Sequence, residues 1–129
     1  MPDTTMINDE TAQTVLVLDD EPIILMDLEF MLRDAGMVPL TASSAARALA
    51  ILKDQRPDLA ILDVNLGRGQ TCAPVAAELE AMNVPYMLHT GDLDRHGETV
   101  TQFDAPILAK PSSSDAVLEV LRALEKVSG

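Results

Sequence analysis

The chain has 129 residues, which fits one compact domain and leaves no room for a second of ordinary size. Hydrophobic residues make up 47% and charged residues 23%, a globular balance, and an aromatic share of only 2% requires an aliphatic core. Nine basic against 21 acidic residues leave a net charge of −12, which repels nucleic acid and anionic membrane and suits a cation or a basic protein surface.

Residues 1–13 are polar, acidic and without periodicity, and read as a mobile tail ahead of a domain spanning 14–129. Val15 to Leu18 form an apolar run. Pro22 follows where a first helical residue tolerates a missing N–H, and Ile24, Leu28, Met31, Leu32 and Ala35 recur with helical spacing up to a stop at Gly36. A second strand, Met37 to Thr41, precedes a helix from Ser44 to Gln55 with Ala45, Leu49 and Leu52 on one face. Strand Leu59 to Leu62 ends at Asp63; a turn at Gly67 and Gly69 leads to a helix carrying Val75, Leu79 and Met82 inward. Strand Val84 to His89 precedes the weakest unit, Gly91 to Asp104, whose poor helix formers predict a short or frayed helix. Strand Pro106 to Ala109 leads to Lys110-Pro111, and Ser112 with Asp115 reads as a capping box before Val117, Val120, Leu121 and Leu124. The methionines, among them Met26, Met31, Met82 and Met87, are expected to fill the aliphatic interior.

Five alternating βα units imply a parallel sheet covered on both faces, because parallel strands need helical crossovers. The chain is far shorter than the ~250 residues of an eight-unit barrel, so an open doubly wound α/β sheet is expected. In such a sheet the carboxyl ends of the strands line the ligand crevice. The residues at those ends are the pair Asp19-Asp20, Asp63, Thr90 and Lys110.

Three gathered carboxylates repel one another. At ~5 Å and an effective dielectric of ~20, each like-charge pair costs on the order of 3 kcal/mol. A divalent cation or a proton must relieve that, and hard oxygen donors favour Mg²⁺ or Mn²⁺. A cation beside a carboxylate, a hydroxyl and an ammonium is equipment for phosphoryl transfer, whose transition state is held by charge and positioning. Asp63 is the best candidate nucleophile, with the adjacent acidic pair holding metal, and Lys110 and Thr90 contacting phosphoryl oxygens.

From the tail onward the chain resembles the receiver domain of two-component response regulators. Members carry an acidic pair after strand one, a phosphorylated Asp after strand three, a Thr or Ser after strand four and Lys-Pro after strand five; here these are Asp19-Asp20, Asp63, Thr90 and Lys110-Pro111. The resemblance implies a flavodoxin-like (βα)5 sheet in the order 2-1-3-4-5. It implies Mg²⁺ held by Asp20, by Asp63, by the main-chain carbonyl of Asn65 and, through water, by Asp19. It also implies phosphorylation of Asp63 by a histidine kinase and a cis Lys110-Pro111 bond. Pro85 to Gly91 is loosely similar to the Phe-Ala-Thr-Gly-Tyr segment of single-domain receivers paired with HWE-type kinases, with Leu88, His89 and Asp92 departing from it. Ile107 stands where most receivers place a Tyr or Phe switch residue.

No output domain follows Gly129 in this sequence, so a phosphorylated face is expected to act through a partner, either a downstream target or a phosphotransfer protein. Two rivals are weighed against this. One is a small phosphotransferase or phosphatase with an Asp nucleophile, similar to haloacid-dehalogenase-like enzymes, which need an Asp two residues after the nucleophile, where Asn65 stands here, and a substrate pocket. The other is a docking protein that is never phosphorylated, although no active-site residue is missing. Asn65 and Asp92 are expected to flank the path of an attacking water. His89 and His96 read as surface or packed residues rather than metal or relay groups, Gly67-Arg68-Gly69 as a turn rather than a phosphate loop, and Cys72 as a small apolar residue. One cysteine excludes an internal disulfide, and without a recognisable signal peptide or membrane span the expected location is the cytoplasm.

Overall fold

The computed structural model describes residues 12–91, 105–110 and 112–128. The expected fourth helix, most of the tail, His96, Asp92 and the Lys110-Pro111 bond lie outside those residues. The elements are β1 (Thr14–Leu18), α1 (Pro22–Asp34), β2 (Val38–Ala42), α2 (Ala45–Asp54), β3 (Leu59–Leu62), β4 (Asn65–Gly67), β5 (Gln70–Thr71), α3 (Ala73–Ala81), β6 (Tyr86–Thr90), β7 (Ile107–Ala109) and α4 (Ser114–Ser128). Five of the strands make one parallel sheet in the order β2-β1-β3-β6-β7, the expected doubly wound arrangement, since the short hairpin β4–β5 pairs only with itself.

Both faces of this sheet are buried, which is why its central strands are continuous apolar runs rather than alternating ones. Leu16, Leu18, Ala60, Leu62, Tyr86 and Leu88 face α2 and α3, meeting Ala48, Leu52, Val75, Ala76 and Leu79. Val15, Val17, Leu59, Ile61 and Met87 face the other way, onto Leu28, Met31 and Leu32 of α1 and Val117 and Leu121 of α4. The even and odd positions of each strand thus feed separate cores.

Several local expectations shift. The turn at Gly67 and Gly69 is a two-stranded antiparallel hairpin with a bulge, and Gly67, Arg68 and Gly69 all have positive φ. Helix α4 is capped by Ser113, whose Oγ accepts from the Ala116 N–H at 3.1 Å, while the Ser112 hydroxyl donates to the Ala109 carbonyl; the capping box expected at Ser112 is therefore one residue out of register. Helix α2 buries Ala48 and Leu52 most deeply, with Ala45 and Leu49 half-buried beside them. Met82 is half-buried and ends α3.

Met26 is not an interior residue. It is 67% exposed on α1, beside Ile23 and Phe30 at helical spacing, because the inward face of that helix is already filled by Leu28, Met31 and Leu32. Met26→Ala is expected to change stability by less than about 0.5 kcal/mol. Met87→Ala, in the middle of a fully buried strand, should cost about 2–5 kcal/mol. Urea unfolding of the two variants, compared at equal slope, checks the pair of values.

Candidate functional site

Main-chain pairing sets the site. The Asp63 N–H donates to the Leu18 carbonyl at 2.8 Å, which brings Asp63 alongside Asp19, and the Lys110 N–H donates to the Thr90 carbonyl at 2.9 Å, which does the same for Lys110 and Thr90. The sheet register therefore gathers four side chains, separate in sequence, at the carboxyl ends of β1, β3, β6 and β7. Asp20, Glu21, Asp63, Asn65, Gly67, Thr90, Gly91 and Lys110 line an open cleft of about 340 Å³ there. Larger grooves exist along α1 and α4, but they lie away from this cluster of charges.

Asp19, Asp63 and Thr90 are buried, whereas Asp20 and Asn65 are exposed. Lys110, with a side chain 11% exposed, places Nζ 2.8 Å from Asp19 Oδ2, 3.2 Å from Asp63 Oδ2 and 3.2 Å from Glu21 Oε1. The contact with Asp19 Oδ2 is an ion pair without hydrogen-bond alignment, and Asp19 Oδ1 accepts from the Glu21 N–H at 2.9 Å. One ammonium thus faces three carboxylates.

Burial, followed by the charge of Asp19, pushes the Asp63 carboxyl up to about 7, against the downward pull of Lys110. Burial alone would lower Lys110; contact with Asp19 and the charges of Asp63 and Asp19 outweigh it and hold the ammonium above its ordinary pKa. The site as it stands carries more negative charge than one lysine can balance. Asp19, Asp20, Glu21 and Asp63 each offer an oxygen, all within 4.8 Å of one another. An all-oxygen, strongly anionic donor set beside open solvent fits a hard divalent cation that keeps part of its water shell.

A family model for the response regulator receiver domain matches residues 15–122. The chain belongs to that family. Among its relatives, a protein from Mycobacterium tuberculosis described as a probable transcriptional regulatory protein, TcrX, is 32% identical over 120 residues, which are 90% of this chain and 51% of that protein. The chain spans about half the length of that relative. The solution structure of SdrG from Sphingomonas melonis is 37% identical with a TM-score of 0.76, covering 88% of this chain and 96% of that one. The crystal structure of a response regulator receiver protein from Sinorhizobium medicae is 30% identical with a TM-score of 0.76, covering 92% and 98%.

The receiver domain brings together the sequence-derived residues Asp19, Asp20, Asp63, Thr90 and Lys110, with Asn65 on the rim, where its Oδ1 accepts from the Gly67 N–H at 3.1 Å. Sequence reasoning missed Glu21, although a third acid directly after the pair was a readable signal. His89, on β6 beside Thr90, is buried, and neither ring nitrogen has a hydrogen-bond partner among the described residues. Burial and then the charge of Lys110 lower its pKa, so it sits there neutral, packed rather than on the surface. Cys72 is buried and its thiol is pushed up to about 12, by burial and then by the charge of Asp63, which leaves it inert as expected. No helix among the described residues is long and apolar enough to cross a membrane.

Proposed function

We propose that this receiver domain accepts a phosphoryl group on Asp63 from the phosphohistidine of a histidine kinase, and that the phosphorylated face is read by a partner protein in the cytoplasm. A carboxylate oxygen of Asp63 forms the new P–O bond as the donor P–N bond breaks, and the departing imidazole takes up a proton. The observation carrying this reading is the Asp63 carboxylate, buried yet lining the open cleft, with the Lys110 ammonium 3.2 Å from its Oδ2. Mg²⁺, or Mn²⁺ in its place, supplies charge neutralisation for the transferring phosphoryl oxygens. Asp19, Asp20, Asp63 and the Asn65 carbonyl are the groups that would hold it. Lys110 then turns from pairing Asp63 to pairing a phosphoryl oxygen, and the Thr90 hydroxyl donates to another. Ile107, 38% exposed on β7, has no ring to reorient, so the readout rests on Thr90, Lys110 and the segment between β6 and β7.

The domain acts on itself rather than on external substrates. The exposed apolar stripe of Ile23, Met26 and Phe30 starts three residues from Asp20 and is a surface for a protein partner. Nucleic acid is disfavoured by the charge of −12. Incubation with Mg²⁺ and acetyl phosphate, followed by intact-protein mass, should show one alkali-labile phosphate on the wild type, none on Asp63→Asn and none in EDTA. An adduct that survives Asp63→Asn refutes the assignment. If no adduct forms and beryllofluoride does not bind, the domain is an unphosphorylated docking protein.

A further inference from the structure

The hairpin that follows Asp63 is fastened at both ends. The Cys72 N–H donates to the Val64 carbonyl at 3.1 Å across its base, and Thr71 Oγ1 accepts from the Ala73 N–H at 3.2 Å as α3 begins. On its first strand the Asn65 amide oxygen holds the Gly67 N–H at 3.1 Å. These bonds fix the main chain of Gly67 in the wall of the acidic cleft, at φ +82°.

At that position a Cβ would stand 3.4 Å from Asp20 Oδ2 and from no other heavy atom within 4 Å outside its chain neighbours. A Cβ there would touch the carboxylate at ordinary van der Waals separation, without displacing it, and would cover the face of the anion that it touches. A methyl group there cannot hydrogen-bond the anion, strips water from it, and occupies part of the volume a partly hydrated cation needs. Two residues on, Gly69 has nearly the same backbone, φ +76°, yet a Cβ there meets nothing within 4 Å. The left-handed conformation explains a glycine at either position; only the approach to Asp20 distinguishes Gly67.

We propose that Gly67 is a positioning residue of the cation site: the hairpin holds its bare Cα against the Asp20 carboxylate, so that Asp20 and the water shell of the cation share a space that a side chain would fill. The inference rests on the cation reading given above. It makes the hairpin a structural wall of the site, with Asn65 acting on Asp20 through Gly67 in addition to any role of its own carbonyl.

The test is calorimetric titration of Mg²⁺ into the metal-free full chain, comparing wild type, Gly67→Ala and Gly69→Ala, with thermal melts of each in EDTA. The two variants share the backbone penalty, so both melts should fall by a similar amount. Only Gly67→Ala should lose Mg²⁺ affinity, by about tenfold or more, the scale seen when groups supporting metal ligands are changed. Gly67→Asn, whose residue type tolerates this backbone region, carries the same Cβ and should also lose affinity, less where its amide hydrogen-bonds Asp20, which keeps the test open if the alanine variant does not fold. Equal affinities for Gly67→Ala and Gly69→Ala, with wild-type binding intact, overturn the positioning role alone. A wild type that binds no Mg²⁺ overturns the cation site and this inference together.

Discussion

In the absence of metal, the receiver domain is expected to become less stable as the pH rises from 5 to 8, and Asp63→Asn should remove most of that loss. The folded Asp63 carboxyl titrates near 7, against an ordinary 3.8. Between those values the folded chain holds a proton that the unfolded chain has released, so the free energy of unfolding falls as pH rises and the fall is complete once pH exceeds the folded value. Three units at 1.36 kcal/mol each set an upper scale of about 4 kcal/mol. The cause is burial first and the neighbouring charge of Asp19 second, with Lys110 opposing both. An amide at this position carries no charge to desolvate. Asp63→Asn should therefore be the more stable protein at pH 8, with its advantage over wild type smaller by about 3 kcal/mol at pH 5, since about two of the three units lie between pH 5 and pH 7; this inverts the usual outcome for a buried polar substitution.

Mg²⁺ should oppose the trend, because it binds the deprotonated carboxylates and its stabilisation grows with pH. At a hundredfold excess over the dissociation constant the gain is about 2.7 kcal/mol, or roughly 10 °C in melting temperature for a domain of this size. Melts at pH 5, 6, 7 and 8 in EDTA and in Mg²⁺, for wild type and Asp63→Asn, give the full comparison. The acidic chain as a whole also repels itself less at low pH, so the decisive quantity is the difference between the two proteins. A difference that does not change with pH would mean that Asp63 is not held protonated by its surroundings.

Why the site was legible before the fold was seen follows from the strands. In a parallel sheet buried on both faces, each central strand is an apolar run that stops where polar groups begin, and those stops are the crevice. Asp19, Asp63, Thr90 and Lys110 all stand at such stops, so their convergence needed no side-chain detail. What stayed hidden depends on geometry that sequence periodicity does not carry. The exposure of Met26 turns on which residues of α1 win the inward face, and an apolar type is compatible with both outcomes. The hairpin at Gly67 reads locally as a turn, and its approach to Asp20 arises from chain segments more than forty residues apart. Ser113 rather than Ser112 caps α4 because Ser112 is engaged with the end of β7, a tertiary preference over a local one.

Lys110→Met should have the largest effect of any single change at the site. Among the described residues Lys110 is the only cation against this cluster, and it touches Asp19, Glu21 and Asp63. Its own pKa is raised from 10.5, so its charge is constant across pH 5 to 8, and its stabilising contribution would be lost only above that range. Removing it leaves two buried carboxylates without their counter-charge, a loss of about 3–5 kcal/mol when one partner of a buried pair is deleted. Protonation of the carboxylates offsets part of this, so the deficit should be widest at pH 8 and narrow towards pH 5. It should also shrink when Asp63→Asn is added, since the amide removes one of the stranded charges; the double-mutant cycle measures that coupling directly. In Mg²⁺ the deficit should be smaller again, because a cation at the cluster replaces part of the lost charge. Urea unfolding at pH 5 and pH 8, with and without Mg²⁺, reads all three contrasts. A Lys110→Met protein that loses less than about 1 kcal/mol at pH 8 in EDTA would show that the ammonium is a bystander to folding. Its role would then be confined to the phosphoryl group.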